Sequence, residues 1–135
     1  MNSLKSLIIF LLFTLSISKI IRFKVPENIK KAKISVKENK EFELRLDGNP
    51  TTGYSWSILN ADKLNDYDIK PLNIDGDYYQ EETYEKLLGH GGVFSFKFNS
   101  GSASDKNKVI KFVYKRPWED SEYDEYVTIY VSVKK

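Results

Sequence analysis

The side chains that could carry covalent or metal chemistry are few. The chain has no cysteine and one histidine, His90, which excludes a nucleophilic thiol and any metal site built from several His or Cys ligands. Carboxylates remain. Glu81, Glu82 and Glu85 are of the right type for a glycosidase-like pair, but no aromatic-lined cleft can be assigned beside them, and they read as the solvated charges of a long loop over Glu81 to Leu88. "NIDGD", Asn73 to Asp77, shares composition with a calcium loop, yet it lacks the regular acidic spacing and the distant glutamate, and reads as a turn. No cofactor and no metal are expected. The chemistry points to a binding protein rather than an enzyme.

Three segments of unusual backbone chemistry stand out, each next to a strand. In "NPTTGY" Pro50 fixes its own φ and pushes Asn49 to an extended shape, Thr51 and Thr52 are stiff at χ1, Gly53 permits positive φ, and Tyr54 opens the following strand. Such a loop is rigid and projects small hydroxyls. "LLGHGG" places Gly89, Gly91 and Gly92 after Leu87 and Leu88, which lets the backbone approach another surface; no helix follows, so it is not a phosphate cradle. "RPW", Arg116, Pro117 and Trp118, ends a strand and leaves a large aromatic in the following hairpin. Singly, Asn-Pro and Gly-Gly are common turn signals and Trp118 could cap a core. Their joint occurrence is what makes them a candidate site.

The elements that must hold these loops alternate with period two. Phe42, Leu44 and Leu46 share one face; so do Tyr54, Trp56 and Ile58, then Phe94, Phe96 and Phe98, then Val127, Ile129, Val131 and Val133. Val109 to Tyr114 and Lys33 to Val36 add two strands, and "YDIKPLNI" adds an edge strand interrupted by Pro71. About seven strands and no helix-period segment predict an all-β sandwich. "NSGSASDKNK", between Phe98 and Val109, reads as a flexible polar turn with no aromatic to anchor a partner.

Length suits one domain of 135 residues, and 41% hydrophobic with 30% charged residues is the composition of a foldable chain. Twenty-one basic and nineteen acidic residues nearly cancel, and no Lys/Arg stripe interleaved with aromatics runs along the sequence, so nucleic acid is not an expected partner. The N-terminus has Lys5 as its positive region, an apolar run from Leu7 to Leu15, and small residues at Ser16 and Ser18. This predicts a secretory signal over 1–18 and a mature domain over 19–135. The apolar run falls short of the roughly 20 residues that cross a bilayer, so no membrane association is expected after cleavage. Without cysteine the fold is indifferent to reduction, which suits a lysosome, phagosome or other vesicle as well as the cell exterior.

The three segments, in this order, resemble the signatures of the chagasin family, proteinaceous inhibitors of papain-like cysteine proteases: Asn-Pro-Thr-Thr-Gly-aromatic at Asn49 to Tyr54, Gly-x-Gly-Gly at Gly89 to Gly92, and Arg-Pro-Trp at Arg116 to Trp118. The resemblance covers about Lys33 to Val133. It implies an immunoglobulin-like β-sandwich whose BC, DE and FG loops cluster at one end, acting as a monomeric, reversible, competitive inhibitor that wedges into the protease cleft. It also implies that Thr51 and Thr52 sit over the catalytic cysteine and histidine, that Leu87 and Leu88 lie along the non-primed subsites, and that Arg116 and Trp118 pack on the primed side. Glu119, Asp120, Glu122, Asp124 and Glu125 add an acidic flank, expected to favour proteases with basic cleft rims. His90 fills the variable position between glycines and is expected to be solvated. The competing reading is a secreted β-sandwich that binds carbohydrate or another protein through its tyrosines and Trp118, without inhibitory activity.

Overall fold

The computed structural model describes residues 20–80 and 91–135, so the reading of Glu81 to Leu88 as a loop, together with Gly89 and His90, lies outside the described residues. The described residues form nine strands: β1 (Ile21–Val25), β2 (Lys31–Lys37), β3 (Glu41–Gly48), β4 (Ser55–Ile58), β5 (Lys70–Pro71), β6 (Asp77–Tyr79), β7 (Gly92–Asn99), β8 (Lys108–Lys115) and β9 (Glu125–Lys134). They make two facing sheets. One runs β1-β3-β7-β5 with β6 also paired to β7; the other runs β2-β9-β8-β4. The architecture is the expected immunoglobulin-like sandwich. β1 is parallel to β3 and β2 is parallel to β9, whereas every other pairing is antiparallel. The first extended stretch therefore divides between the sheets, changing over after Pro26, with Asn28 at φ 63° in the turn.

Alternation is what builds the core. Phe42, Leu44 and Leu46 of β3 face Ile110 and Phe112 of β8 and the four inward β-branched residues of β9, and nearly all are fully buried. Aromatic pairs join the layers, with Phe112 lying 5.0 Å from Phe96 and 6.5 Å from Phe98 between ring centres, while Phe42 stacks on Phe98 at 5.4 Å across neighbouring strands of one sheet. Each such side chain contributes about 1.5–3 kcal/mol on burial, which is how a chain without disulfides holds together.

Two short strands escape sequence reading. β1 has only Phe23 and Val25 turned towards the core, and β6 has only Tyr78, too few to display a period. Between β5 and β6 the side chain of Asn73 stands in for a strand. Its Oδ1 accepts from the Lys97 amide and its Nδ2 donates to the Ser95 carbonyl, so the β7 backbone stays paired across the gap. A seven-residue 3-10 helix, Ala61–Tyr67, carries the chain from β4 to β5 with Leu64 buried as its plug.

The β7–β8 connection corrects the expectation of a flexible turn. Ser100 is fully buried; its Oγ donates to the Lys37 carbonyl and accepts from the Lys40 amide. The Lys108 ammonium, also buried, donates to the carbonyls of Asp68 at 3.0 Å and Ser100 at 2.8 Å. Burial lowers its pKa, opposed by the charge of Asp68. This end of the sandwich is a knot of polar contacts, and the β3–β4 and β8–β9 connections lie at the other end.

Candidate functional site

The β3–β4, β6–β7 and β8–β9 connections are the BC, DE and FG loops of the expected fold. The first is a single turn of 3-10 helix, Pro50–Thr52, with Asn49 as its N-cap at φ −134° and ψ 97°, and Gly53 as its C-cap at φ 85°. Both backbone expectations from the sequence are met. The Asn49 side-chain oxygen accepts from the Thr51 amide at 3.1 Å and from the Thr51 hydroxyl at 2.6 Å; the Thr52 hydroxyl donates to the Asn49 carbonyl at 2.7 Å. The projecting hydroxyls are thus not idle: each spends its proton inside the turn and stiffens it. Pro50, Thr51 and Thr52 are exposed at the tip.

The β8–β9 connection is locked onto this turn. Arg116 donates from Nε to the Thr52 carbonyl at 2.9 Å, and its guanidinium lies 4.9 Å from the centre of the Tyr54 ring. The Trp118 indole covers Gly53 so closely that a β-carbon there would stand 2.6 Å from the ring. Glycine is required at position 53 twice over, for its φ and for this contact. Pro117 is exposed, and Trp118 is 70% exposed although its neighbour fixes its position; Trp56, in phase with Tyr54 and Ile58, is only 6% exposed in the core. Tyr54 is half-buried, its ring 5.3 Å from that of Tyr114.

Of the third segment the described residues contain Gly91 and Gly92. A β-carbon on Gly91 would fall 2.2 Å from the Gly48 carbonyl oxygen, and one on Gly92 would fall 2.0 Å from the Tyr79 carbonyl oxygen. Backbone meets backbone at both, which sets the start of β7 directly against the root of the Asn49 turn. Leu87, Leu88 and Gly89 lie outside the described residues.

Two contributors, Tyr114 and Gly48, were not singled out from the sequence, and Glu119 was named only as part of the acidic flank. Tyr114 accepts from the Asn49 amide at 2.9 Å through its hydroxyl, tying the turn to β8. The phase of Tyr114 with Ile110 and Phe112 was a readable signal, since an inward tyrosine needs a partner for its hydroxyl. Gly48 lies against the Phe94 ring, and Glu119 accepts from Arg116 at 3.0 Å. The acidic flank is accordingly divided. Glu119 pairs with Arg116, Asp120 pairs with Lys115, and Asp124 accepts from the Ser121 amide, which leaves Glu122 and Glu125 as its carboxylates outside these contacts. The hydrogen bond from Lys115 holds the Asp120 carboxyl below its ordinary pKa. Among the described residues no group of His, Asp and Glu is placed to hold a metal ion.

Among the described residues the arrangement offers no reacting group. It offers a rigid convex tip, with two threonines at its apex, flanked by an exposed indole and a guanidinium. Comparison with known proteins gives the same picture. The profile of the chagasin family peptidase inhibitors, I42, matches residues 35–133. Amoebiasin-1 of Entamoeba histolytica is 29% identical over 101 residues, covering 75% of this chain and 89% of that protein. Chagasin of Trypanosoma cruzi is 28% identical over 101 residues, covering 74% and 87%. The structure of PbICP-C in complex with falcipain-2 shares the fold at a TM-score of 0.58 and 20% identity, covering 84% of this chain and 99% of that one. With the family profile spanning the sandwich from β2 to β9, the chain belongs to the chagasin family of peptidase inhibitors.

Proposed function

We propose that the chain is a reversible, competitive inhibitor of papain-like cysteine proteases, and that it blocks them by seating the tip formed by Asn49 to Tyr54, the Gly89–Gly92 segment and Arg116 to Trp118 in the active-site cleft. The observation that carries this reading is the internal locking of the Asn49 turn. Its carbonyls at Asn49 and Thr52 are already engaged by Thr52 and Arg116, and its backbone is a 3-10 turn. A catalytic thiolate needs a carbonyl presented in line at about 3–3.5 Å. A turn held in this shape fills the cleft without presenting one, so it is not cleaved. Pre-ordering also lowers the entropy lost on docking, and contacts spread over three loops reach the roughly 800 Å² per partner of a stable interface. A relative of the same fold solved in complex with falcipain-2 supports the assignment of partner class.

The test is an inhibition constant against papain and a cathepsin-type enzyme, with nanomolar or tighter inhibition expected. Combined replacement of Thr51, Thr52 and Trp118 by alanine abolishes it while the fold survives; absence of inhibition at micromolar protein refutes the reading. We also propose, from Lys5, the apolar run Leu7 to Leu15 and the small residues Ser16 and Ser18, that 1–18 is a secretory leader and that the mature domain, 19–135, enters the secretory pathway and works in a lysosome, phagosome or other vesicle, or outside the cell. Fractionation of cells with an antibody to the mature domain tests that placement, and a purely cytosolic pool overturns it.

A further inference from the structure

The outer face of the β2-β9-β8-β4 sheet carries a feature that the linear sequence hides. Because Ala32, Ile34 and Val36 of β2 point inward, Lys31, Lys33 and Lys37 point out. The register sets them beside Thr128, Tyr130 and Lys134 of β9, and Thr128 in turn lies beside Lys111 of β8. All five lysines are exposed, and none enters an ion pair among the described residues. The outward positions of these three strands hold no carboxylate from Lys31 to Lys37, from Lys108 to Lys115 or from Tyr126 to Lys134. Five positive charges thus share one face of a chain whose formal net charge is only +2. The opposite sheet contrasts with this. Its outward Arg22, Arg45 and Lys24 are matched by Glu43 and Asp47 in ion pairs.

We infer that this lysine face binds an extended sulfated polysaccharide. The geometry fits a linear polyanion: at about 3.3 Å per residue Lys31 to Lys37 spans roughly 20 Å along β2, and the neighbouring strands add lysines about 5 and 10 Å to the side. The hydroxyls of Ser35, Thr128, Tyr130 and Ser132 lie between the ammonium groups, available to sugar hydroxyls and sulfate oxygens. Other polyanions fit less well. The face is a sheet with no protruding element to enter a duplex groove and no arginine for bidentate base contact, and its apolar members Val109 and Val113 are not exposed for insertion into a bilayer. The face lies on the side of the sandwich and the protease-directed tip lies at its end. Both can be occupied at once, which concentrates the inhibitor on a polyanionic surface with its tip free.

The experiment is binding of the full chain to heparin between about 50 and 200 mM salt. Neutralising five sulfates releases close to one counterion each, so affinity falls by roughly two to three orders of magnitude across that range, by the slopes known for nucleic acids. Replacing Lys31, Lys33, Lys37, Lys111 and Lys134 together by glutamine abolishes heparin retention at about 150 mM salt, with thermal unfolding unchanged. Lys24→Gln with Lys97→Gln on the other sheet changes it by less than about twofold. Retention is read independently of protease inhibition, so failure of one does not mask failure of the other. Three results overturn the inference: no retention of the unaltered chain, retention unaffected by the five replacements, or tighter binding to phosphatidylserine vesicles or duplex DNA than to heparin.

Discussion

Gly53 gives the sharpest test of how the tip is built. Gly53→Ala has two separable effects. The first is local, since alanine at φ 85° costs about 1 kcal/mol of stability, or roughly 4 °C in melting temperature. The second falls on the site, because the new methyl group would stand 2.6 Å from the Trp118 ring and must push it aside. An exposed tryptophan at the centre of such an interface contributes about 2 kcal/mol, so losing its position weakens inhibition about 30-fold. Trp118→Ala alone removes the same contact and costs the same 30-fold. In the double variant the clash has no partner, and the loss should stay near 30-fold instead of multiplying to about 900-fold. The assay is a tight-binding titration of papain with a fluorogenic substrate, run on all four proteins beside their thermal melts. Multiplicative losses, or a Gly53→Ala protein of undiminished potency, would refute the argument that Trp118 acts from the seat that Gly53 provides.

Three further expectations follow from contacts elsewhere. Arg116→Lys keeps the charge but loses the Nε donor to Thr52, and inhibition should weaken about tenfold with little change in melting temperature. Lys108→Met leaves the Asp68 and Ser100 carbonyls without their amine, which should cost about 2 kcal/mol, roughly 8 °C in melting temperature, and leave the inhibition constant unchanged because the lysine lies at the opposite end. At Glu43, burial raises the carboxyl pKa, but hydrogen bonds from Ser95 and Arg45 and the charges of Arg45 and Arg22 outweigh it and hold it below the ordinary 4.5. A depressed folded pKa contributes stability that is complete above the unfolded value and is lost as pH falls through the folded one. Melts of the unaltered chain and Glu43→Gln should therefore differ above about pH 5 and converge on strong acidification; parallel curves would show that the carboxylate is not the source.

The sequence disclosed the site through residues whose backbone demands are local. Asn49 before proline, glycine at a left-handed position and tryptophan after Arg-Pro each announce themselves within a few residues, and the phase of Trp56 with Tyr54 and Ile58 separated the core tryptophan from Trp118. What stayed hidden depends on register. The Arg116 bond to Thr52 joins positions 64 apart, and the Tyr114 bond to Asn49 joins positions 65 apart. The lysine face unites β2 with two strands from the far end of the chain. Ser100 looked like one more polar turn residue because its hydrogen-bond partners, Lys37 at the end of β2 and Lys40 in the turn before β3, lie 63 and 60 positions away.

The parallel pairing of β2 with β9 has a mechanical consequence. Seven registered pairs, from Lys31 with Thr128 to Lys37 with Lys134, join a strand near one end of the chain to the strand near the other. Tension applied at the two ends first loads β1, itself parallel to β3, and then pulls β2 and β9 in opposite directions along their own axes. The ladder is then loaded in shear, with every rung bearing force together, whereas an antiparallel hairpin such as β8–β9 would peel open one rung at a time. Resistance to forced unfolding is set by the unfolding rate and not by equilibrium stability. A molecule clamped in this way can be dragged by its ends, against a protease that grips its tip, without first surrendering the strands that hold the tip in shape.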